Sequence, residues 1–195
     1  RIVNAVDADR IRHSSIRVAV DATNGAAGAV FPLLLDRLGV SWEGVSVALT
    51  GEFTHNPEPR PEHLGELSAL LAAGDGFRAG FAFDPDGDRL APMGERGQSI
   101  SEEMTLALAL DALLSKSRSP VATNLSTSLV VDDVAARHDA TVYRTKIGEA
   151  NVVAAMLEHG CAVGGEGNGG LIYPAVSTVR DGLMALATLI EAMAT

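Results

Sequence analysis

The sequence predicts an α/β protein built from two similar domains in tandem, each with short strands flanked by helices. Three observations lead to this prediction. The chain has 195 residues, enough for one large domain or two small ones. Hydrophobic residues make up 47% of it and aromatic residues only 4%, so Ala, Leu and Val can fill a core. Short β-rich runs alternate with helical stretches, and the alternation begins anew near Ser99, which divides the chain into residues 1–98 and 99–195.

The first domain has the predicted order βαβαβ. Strands are predicted over three short β-rich runs: Arg17–Asp21, Val45–Leu49 and Ala79–Phe83. Helices are predicted over two apolar stretches: Ala26–Leu38, which ends at Gly39, and Leu64–Leu71. Between them, the loop Thr50–Pro61 holds three prolines, which exclude regular structure there.

The second domain repeats the alternation of strands and helices. Ser101, followed by Glu102 and Glu103, is a suitable helix start. Helices are predicted over Met104–Leu114, Leu129–His138, Ala150–His159 and Asp181–Ala194. Strands are predicted over Pro120–Asn124, Ala140–Arg144 and Cys161–Gly164, followed by a short apolar run, Leu171–Tyr173.

The charge and cysteine content exclude several classes of protein. Fifteen Lys and Arg residues against 25 Asp and Glu residues give a formal net charge of −10, which disfavours nucleic acid and anionic membranes as partners. The single cysteine, Cys161, forms no intrachain disulfide, and no apolar run approaches the roughly 20 residues of a membrane span. We therefore expect a cytoplasmic protein. The chain begins at Arg1 rather than Met, as an excised piece would.

An acidic loop follows the apolar strand that ends at Phe83. Asp84, Asp86 and Asp88 alternate in a loop kinked by Pro and Gly, where their oxygens can turn towards one point. Such an oxygen set suits a hard divalent cation such as Mg²⁺. Arg89 adds a planar fork beside the ion, suited to a phosphate oxygen.

Two other motifs compete for this acidic loop. An EF-hand calcium loop requires Gly at its sixth position, which here is Arg89, so that motif is rejected. A haloacid-dehalogenase-type phosphatase also carries D-x-D-G-T after a strand, with Asp84 as its nucleophile. Here Asp88 replaces the Thr of that signature, and the loop lies in the middle of the chain.

Two further loops carry candidate binding residues. The stretch Gly164–Gly170 has five glycines in seven positions, so its backbone, including Gly165 and Gly167, can approach a ligand closely. It projects Glu166 and Asn168, a carboxylate and an amide that suit adjacent sugar hydroxyls, and it lacks the ending of a phosphate-binding P-loop. Lys146, one of two lysines, lies between a strand and a helix, where its charge can meet a phosphate.

Taken together, these motifs resemble the α-D-phosphohexomutase superfamily, and in particular its archaeal-type phosphoglucosamine mutase or phosphomannomutase/phosphoglucomutase branch. The matching strings are V-D-A-T-N-G, D-P-D-G-D-R, T-K-I-G-E, G-G-E-G-N-G-G and V-R-D-G. The likeness covers nearly the whole chain and corresponds to the second and third of the family's four domains, each with a mixed sheet.

The resemblance implies a role for each candidate residue. Asp84, Asp86 and Asp88 would hold Mg²⁺, and Arg89 would lie by the phosphoserine that the metal also contacts. Glu166 and Asn168 would bind sugar hydroxyls, although many members have Ser in place of Asn168. Lys146 would lie by the phosphate or ring of a hexose phosphate substrate.

The resemblance also implies that catalytic parts are missing. The T-A-S-H-N-P loop of the family's first domain, which carries the phosphoserine, does not occur, and Thr54–Pro57 is only a partial echo that we interpret as a rigid loop. The phosphate-binding loop of the fourth domain is also missing. The expected protein is therefore the middle portion of a mutase, inactive alone. The alternatives are the phosphatase above and a non-catalytic module that binds sugar phosphates.

Overall fold

The computed structural model describes residues 1–194, in which two β-sheets pack against helices. The strands are β1 Arg17–Asp21, β2 Ser41–Val45, β3 Ala79–Phe83, β4 Leu90–Gly94, β5 Val121–Asn124, β6 Val142–Thr145, β7 Val163–Glu166, β8 Gly170–Tyr173 and β9 Ser177–Arg180. The helices are α1 Ala8–His13, α2 Phe31–Leu38, α3 Gly65–Ala73, α4 Glu103–Leu114, α5 Val130–Arg137, α6 Glu149–His159 and α7 Gly182–Met193. Among these helices, none is both long and apolar enough to cross a membrane.

The two sheets share one topology. The first has the strand order β2-β1-β3-β4 and the second β6-β5-β7-β8-β9. In each, the first three strands in space are parallel and the fourth is antiparallel. The predicted pair of mixed-sheet α/β domains is confirmed. The hairpin between β3 and β4 therefore occupies the same position in its sheet as the hairpin between β7 and β8.

One hydrophobic cluster runs through both sheets. It contains Val18 and Phe81 of the first sheet, Val163 of the second, and Leu110 and Met184 of the helices between them, all 1% exposed or less. Helices α4 and α7 contact β4 as well as β8, so they belong to the cores of both units. Continuous burial of this kind is the main stabilising contribution to a fold, and it holds the two sheets in one arrangement.

The predicted strands at Arg17–Asp21 and Ala79–Phe83 are confirmed residue for residue. The strand predicted at Val45–Leu49 is wrong, because β2 occupies Ser41–Val45. Its register with β1, Arg17 opposite Ser41 through Asp21 opposite Val45, ends where β1 ends. Beyond that point no neighbouring strand remains to pair with the more apolar residues that follow Val45. Three elements were not predicted: α1, β4 and β9.

Two expected boundaries also differ. The glycine-rich loop predicted over 164–170 shrinks to a three-residue turn, because β7 continues through Glu166 and β8 begins at Gly170. Ser101 has a positive φ of 76°, and Glu102 is the N-cap of α4 instead. The predicted start of the last helix at Asp181 agrees with the structure, in which Asp181 is the N-cap of α7 and its side chain accepts a hydrogen bond from the Met184 N–H.

Candidate metal and ligand site

The acidic turn, residues 84–89 between β3 and β4, and the glycine turn, residues 167–169 between β7 and β8, lie against each other. The Leu90 N–H donates to the Gly169 carbonyl at 3.0 Å, and the Gly182 N–H donates to the Gly87 carbonyl at 3.2 Å. A Cβ on Gly169 would lie 2.5 Å from the Leu90 oxygen, and one on Gly182 would lie 2.6 Å from the Gly87 oxygen. Gly169 also has a φ of 95°. Only glycine permits this close approach, which brings the two predicted loops together.

The three aspartates of the acidic turn converge on one point. One carboxylate oxygen from each of Asp84, Asp86 and Asp88 lies within 4.8 Å of the others. Asp84 is buried, Asp88 is half-buried and Asp86 is exposed. The Oδ1 atom of Asp88 is buried and has no hydrogen-bond partner among the described residues. An all-oxygen set with an unsatisfied carboxylate oxygen fits a hard divalent cation.

Arg89 joins the buried end of this cluster to the proline-rich loop. Its backbone N–H donates to Asp84 Oδ1 at 3.1 Å and its Nε donates to Asp84 Oδ2 at 2.5 Å. The outer edge of the guanidinium binds both oxygens of Glu58, at 2.9 and 3.3 Å. The hydrogen bonds from Arg89 lower the pKa of Glu58. Arg89 is thus held between a buried and an exposed carboxylate.

Burial raises the pKa of the Asp84 carboxyl to about 6, and Asp88 adds to the rise although Arg89 opposes it. A cation bound by Asp84 must displace this proton, so the affinity for a divalent cation, with Mg²⁺ as the probe, is expected to be about tenfold weaker at pH 5 than at pH 7.5. Calorimetric titration at constant ionic strength measures this. Because the folded chain holds this proton at a higher pH than the unfolded chain, the free energy of unfolding without metal should also fall as pH rises from 4 to 6. A flat affinity between pH 5 and 7.5 would contradict the assignment of Asp84.

Glu166 lies at the end of β7, with its side chain 5% exposed. Its Oε1 accepts hydrogen bonds from Asn124 Nδ2 at 2.6 Å and from the Gly148 N–H at 3.2 Å. Its Oε2 accepts from Arg180 Nη1 at 3.0 Å. Donors from three segments therefore hold this carboxylate in one place beside the glycine turn.

The remaining candidate residues differ in what the structure offers them. Gly165 lies inside β7, where its carbonyl accepts from Thr123 Oγ1 at 2.9 Å, and the Gly167 N–H donates to Thr127 Oγ1 at 2.9 Å. Both glycines thus place backbone groups in internal hydrogen bonds. Asn168 differs, because its Oδ1 is buried and has no partner among residues 1–194. An orphaned amide oxygen beside Glu166 is suited to a ligand hydroxyl.

Lys146 lies in the loop between β6 and α6. That loop reaches Glu166 through the Gly148 N–H, but the Lys146 side chain itself is exposed. Within the described part of the chain, its ammonium group forms no ion pair. The loop therefore contacts the candidate site, and the ammonium group of Lys146 is available to bind an anion.

Sequence reasoning missed a role for Arg180. Its guanidinium lies 2.6 Å from Asp88 in the acidic turn and 3.0 Å from Glu166 in the other hairpin. The V-R-D-G run was singled out only as part of the family resemblance, and the helix was predicted to begin one residue later, at Asp181. A basic residue directly before that helix was the available signal, and only the three-dimensional arrangement shows which carboxylates it meets.

A second missed contact joins Asp21, at the end of β1, to His55. Asp21 is fully buried, and its Oδ2 lies 2.9 Å from His55 Nε2. Its Oδ1 accepts from the Thr23 N–H at 2.9 Å. Burial raises the pKa of Asp21, although the contacts with Thr23 and His55 oppose the shift. This pair ties the loop Thr50–Pro61 to the end of β1 through His55.

A cavity of about 670 Å³ lies between the first sheet and helices α4 and α7. Its walls include Phe81, Pro92, Leu108 and Leu189, and none of the predicted site residues lines it. Cavity size therefore does not identify the site. The candidate site rests instead on the convergent acids and the orphaned polar atoms at the two turns.

Comparison with known families agrees with this arrangement. Residues 1–97 match the family model described as phosphoglucomutase/phosphomannomutase, alpha/beta/alpha domain II, and residues 101–195 match the model for domain III of the same family. A phosphoglucomutase/phosphomannomutase of Thermococcus kodakarensis is 39% identical over 99% of the chain, and a probable phosphoglucosamine mutase of Methanopyrus kandleri is 34% identical over 98%. The chain spans 42% of the length of each of these relatives.

Solved structures give the same result. A phosphoglucomutase/phosphomannomutase family protein from Burkholderia thailandensis superposes with a TM-score of 0.83 at 29% identity, covering 96% of this chain and 43% of that one. A putative phosphomannomutase from Thermus thermophilus superposes with a TM-score of 0.87 at 24% identity, covering 99% and 45%. The second likeness is one of fold alone.

Proposed function

Because the chain belongs to the phosphoglucomutase/phosphomannomutase family, matching its domains II and III, we propose that it supplies two binding loops of a Mg²⁺-dependent phosphohexomutase. The acidic turn is the metal loop, and the glycine turn together with Glu166 is the sugar loop. The observation that carries this proposal is the convergence of three aspartate oxygens beside a turn with an orphaned amide oxygen. The substrate is a hexose phosphate, and the boundary between the two domains falls near Ser99.

The proposed reaction of the whole enzyme moves a phosphoryl group between two positions of a hexose. A phosphoserine outside this chain gives its phosphoryl group to the free hydroxyl of a hexose 1- or 6-phosphate. The resulting bisphosphate reorients, and the serine takes back the other phosphoryl group. Bound Mg²⁺ supplies positive charge that stabilises a phosphoryl group in transfer.

The residues of this chain bind and orient the reactants. Glu166 and Asn168 accept hydrogen bonds from sugar hydroxyls, and Lys146 meets the phosphate or ring of the substrate. Arg89 meets the phosphoserine. Since both outer nitrogens of Arg89 are bound to Glu58, which is half exposed, an incoming phosphate takes the place of that carboxylate. Without the phosphoserine, this chain binds its ligands and does not turn them over.

Calorimetric titration with Mg²⁺ tests the metal assignment. The Asp86→Ala variant is expected to bind Mg²⁺ at least about tenfold more weakly than the wild type, since it loses one of three charged ligands. Asp86 is exposed, so the fold should tolerate the change. Asp133→Ala, which removes an exposed acid from α5, is the matched control and should bind as the wild type does. Equal affinity in both variants would contradict the proposal.

A phosphate-release assay separates the mutase proposal from a phosphatase with Asp84 as nucleophile. Asp84 is 1% exposed, and its two oxygens accept hydrogen bonds from the N–H and Nε of Arg89. A carboxylate bound in this way is poorly placed to attack a phosphorus atom. We expect glucose 6-phosphate to bind without steady release of phosphate. Release that disappears in Asp84→Asn would instead support the phosphatase.

A further inference from the structure

Arg180, the last residue of β9, lies between the two functional turns. Its Nη2 is 2.6 Å from Asp88 Oδ2, its Nη1 is 3.0 Å from Glu166 Oε2, and its Nε is 3.0 Å from Glu149 Oε2. Its side chain is only 21% exposed. One guanidinium is therefore shared by three carboxylates, which come from the acidic turn, the glycine hairpin and the start of α6.

The backbone on both sides of Arg180 is tied to the same hairpins. Asp181 caps α7, and the Gly182 N–H donates to the Gly87 carbonyl in the acidic turn. On the other side, a Cβ on Gly170 would lie 2.3 Å from the Cδ of Arg180. Gly170 thus leaves the space that the arginine stem fills. The guanidinium is held in place by its surroundings and not only by its ion pairs.

We propose that Arg180 is a positioning residue that couples the metal loop to the sugar loop, an inference that rests on the proposed function. Asp88 is bound to Arg180 through Oδ2, while its Oδ1 accepts no hydrogen bond among the described residues and lies 3.8 Å from Arg89 Nε. A divalent cation held by the three aspartates would compete with the guanidinium for the negative charge of Asp88. Arg180 would then pair less with Asp88 and more with Glu166 and Glu149. Occupation of the metal loop is in this way transmitted to the carboxylate that binds the sugar.

Amide NMR spectra recorded during a titration with Mg²⁺ alone test this coupling on the 195-residue chain. In the wild type, signals of Gly167 and Asn168 should shift with the same midpoint as those of Asp86 and Gly87. In Arg180→Met, only the acidic-turn signals should shift, with a midpoint at roughly tenfold lower Mg²⁺ because a competing positive charge is gone. Arg180→Lys keeps that charge and should restore part of the coupling.

Arg118→Met is the matched control. It removes an exposed arginine whose ion-pair partner is Asp139, and neither residue belongs to the two turns. It should titrate as the wild type does. The proposal is overturned if the sugar-loop signals still follow Mg²⁺ in Arg180→Met, or if its midpoint is not lowered.

A titration in which Mg²⁺ shifts no wild-type signal would refute the proposed metal site itself. The metal-free spectra then decide the role of Arg180 separately. Arg180→Met must displace the signals of both turns relative to the wild type, whereas Arg118→Met must displace neither. If the signals of either turn are unchanged in metal-free Arg180→Met, Arg180 does not connect the two turns.

Discussion

Replacing Arg89 by Met is expected to lower the free energy of unfolding by about 2–4 kcal/mol, because it leaves a buried carboxylate without its cationic partner. Asp84 is 1% exposed and receives both a backbone and a side-chain hydrogen bond from Arg89. Glu58, on the other side of the same guanidinium, is 51% exposed. Its replacement by Gln should therefore cost no more than about 1 kcal/mol. Urea unfolding of the two variants measures the contrast.

The pH dependence of the same experiment identifies the cause. The pKa of Asp84 is raised in the folded chain, so at pH 5 most of this carboxyl group is protonated. A neutral carboxyl group needs no cationic partner, so removing the Arg89 side chain lowers the free energy of unfolding less at pH 5. The deficit of Arg89→Met should therefore be larger at pH 8 than at pH 5. A deficit of the same size at both pH values would mean that lost packing, rather than an unpaired carboxylate, destabilises the variant.

The buried centre of the first sheet could be predicted from sequence, because its strands β1 and β3 are short apolar runs. Strand β3, Ala79–Phe83, is buried at every position, and β1 at all but its first. Edge strands carry a weaker signal. Strand β2 is exposed at two of its five positions and half-buried at the others, and β9 is exposed at two of its four positions. Strand β4 contains Pro92, which is tolerated there because β4 lies at the edge of its sheet.

The candidate site divides in the same way between local and distant contacts. The three aspartates lie within five residues, so their convergence could be predicted from spacing alone. The pair Arg180 and Asp88 is 92 residues apart in the sequence, and the pair His55 and Asp21 is 34 residues apart. Nothing in the local pattern of either residue names its partner. These contacts depend on the packing of one hairpin against another, which only the folded chain specifies.

The repeated topology of the two sheets explains why the acidic turn and the glycine turn meet. The acidic turn joins β3 to β4 and the glycine turn joins β7 to β8, so both loops occupy equivalent positions in two similar sheets. Helices α4 and α7 hold the two sheets together through a continuous core. Two equivalent turns therefore meet, one carrying acids and the other carrying an acid and an amide. The proposed site for a metal ion and a sugar would therefore arise from one architecture used twice.

A pair of Gly→Ala substitutions tests how closely the two hairpins must approach. Gly182 and Gly65 are both the first residue of a helix, α7 and α3 respectively. A Cβ on Gly65 would meet no atom within 4 Å, so Gly65→Ala should stabilise the chain by about 0.5–1 kcal/mol. A Cβ on Gly182 would lie 2.6 Å from the Gly87 oxygen and 3.0 Å from the Arg89 oxygen.

Gly182→Ala is therefore expected to destabilise the chain by about 2–3 kcal/mol, since backbone atoms of the acidic turn must move to admit one methyl group. That movement also displaces the Gly87 carbonyl from the Gly182 N–H and disturbs the spacing of Asp86 and Asp88 on either side of it. Mg²⁺ affinity should fall together with stability in Gly182→Ala, while Gly65→Ala keeps the wild-type affinity. If Gly182→Ala is as stable as the wild type and binds Mg²⁺ equally well, the hairpins do not need this contact, and the site must be held together by its ion pairs alone.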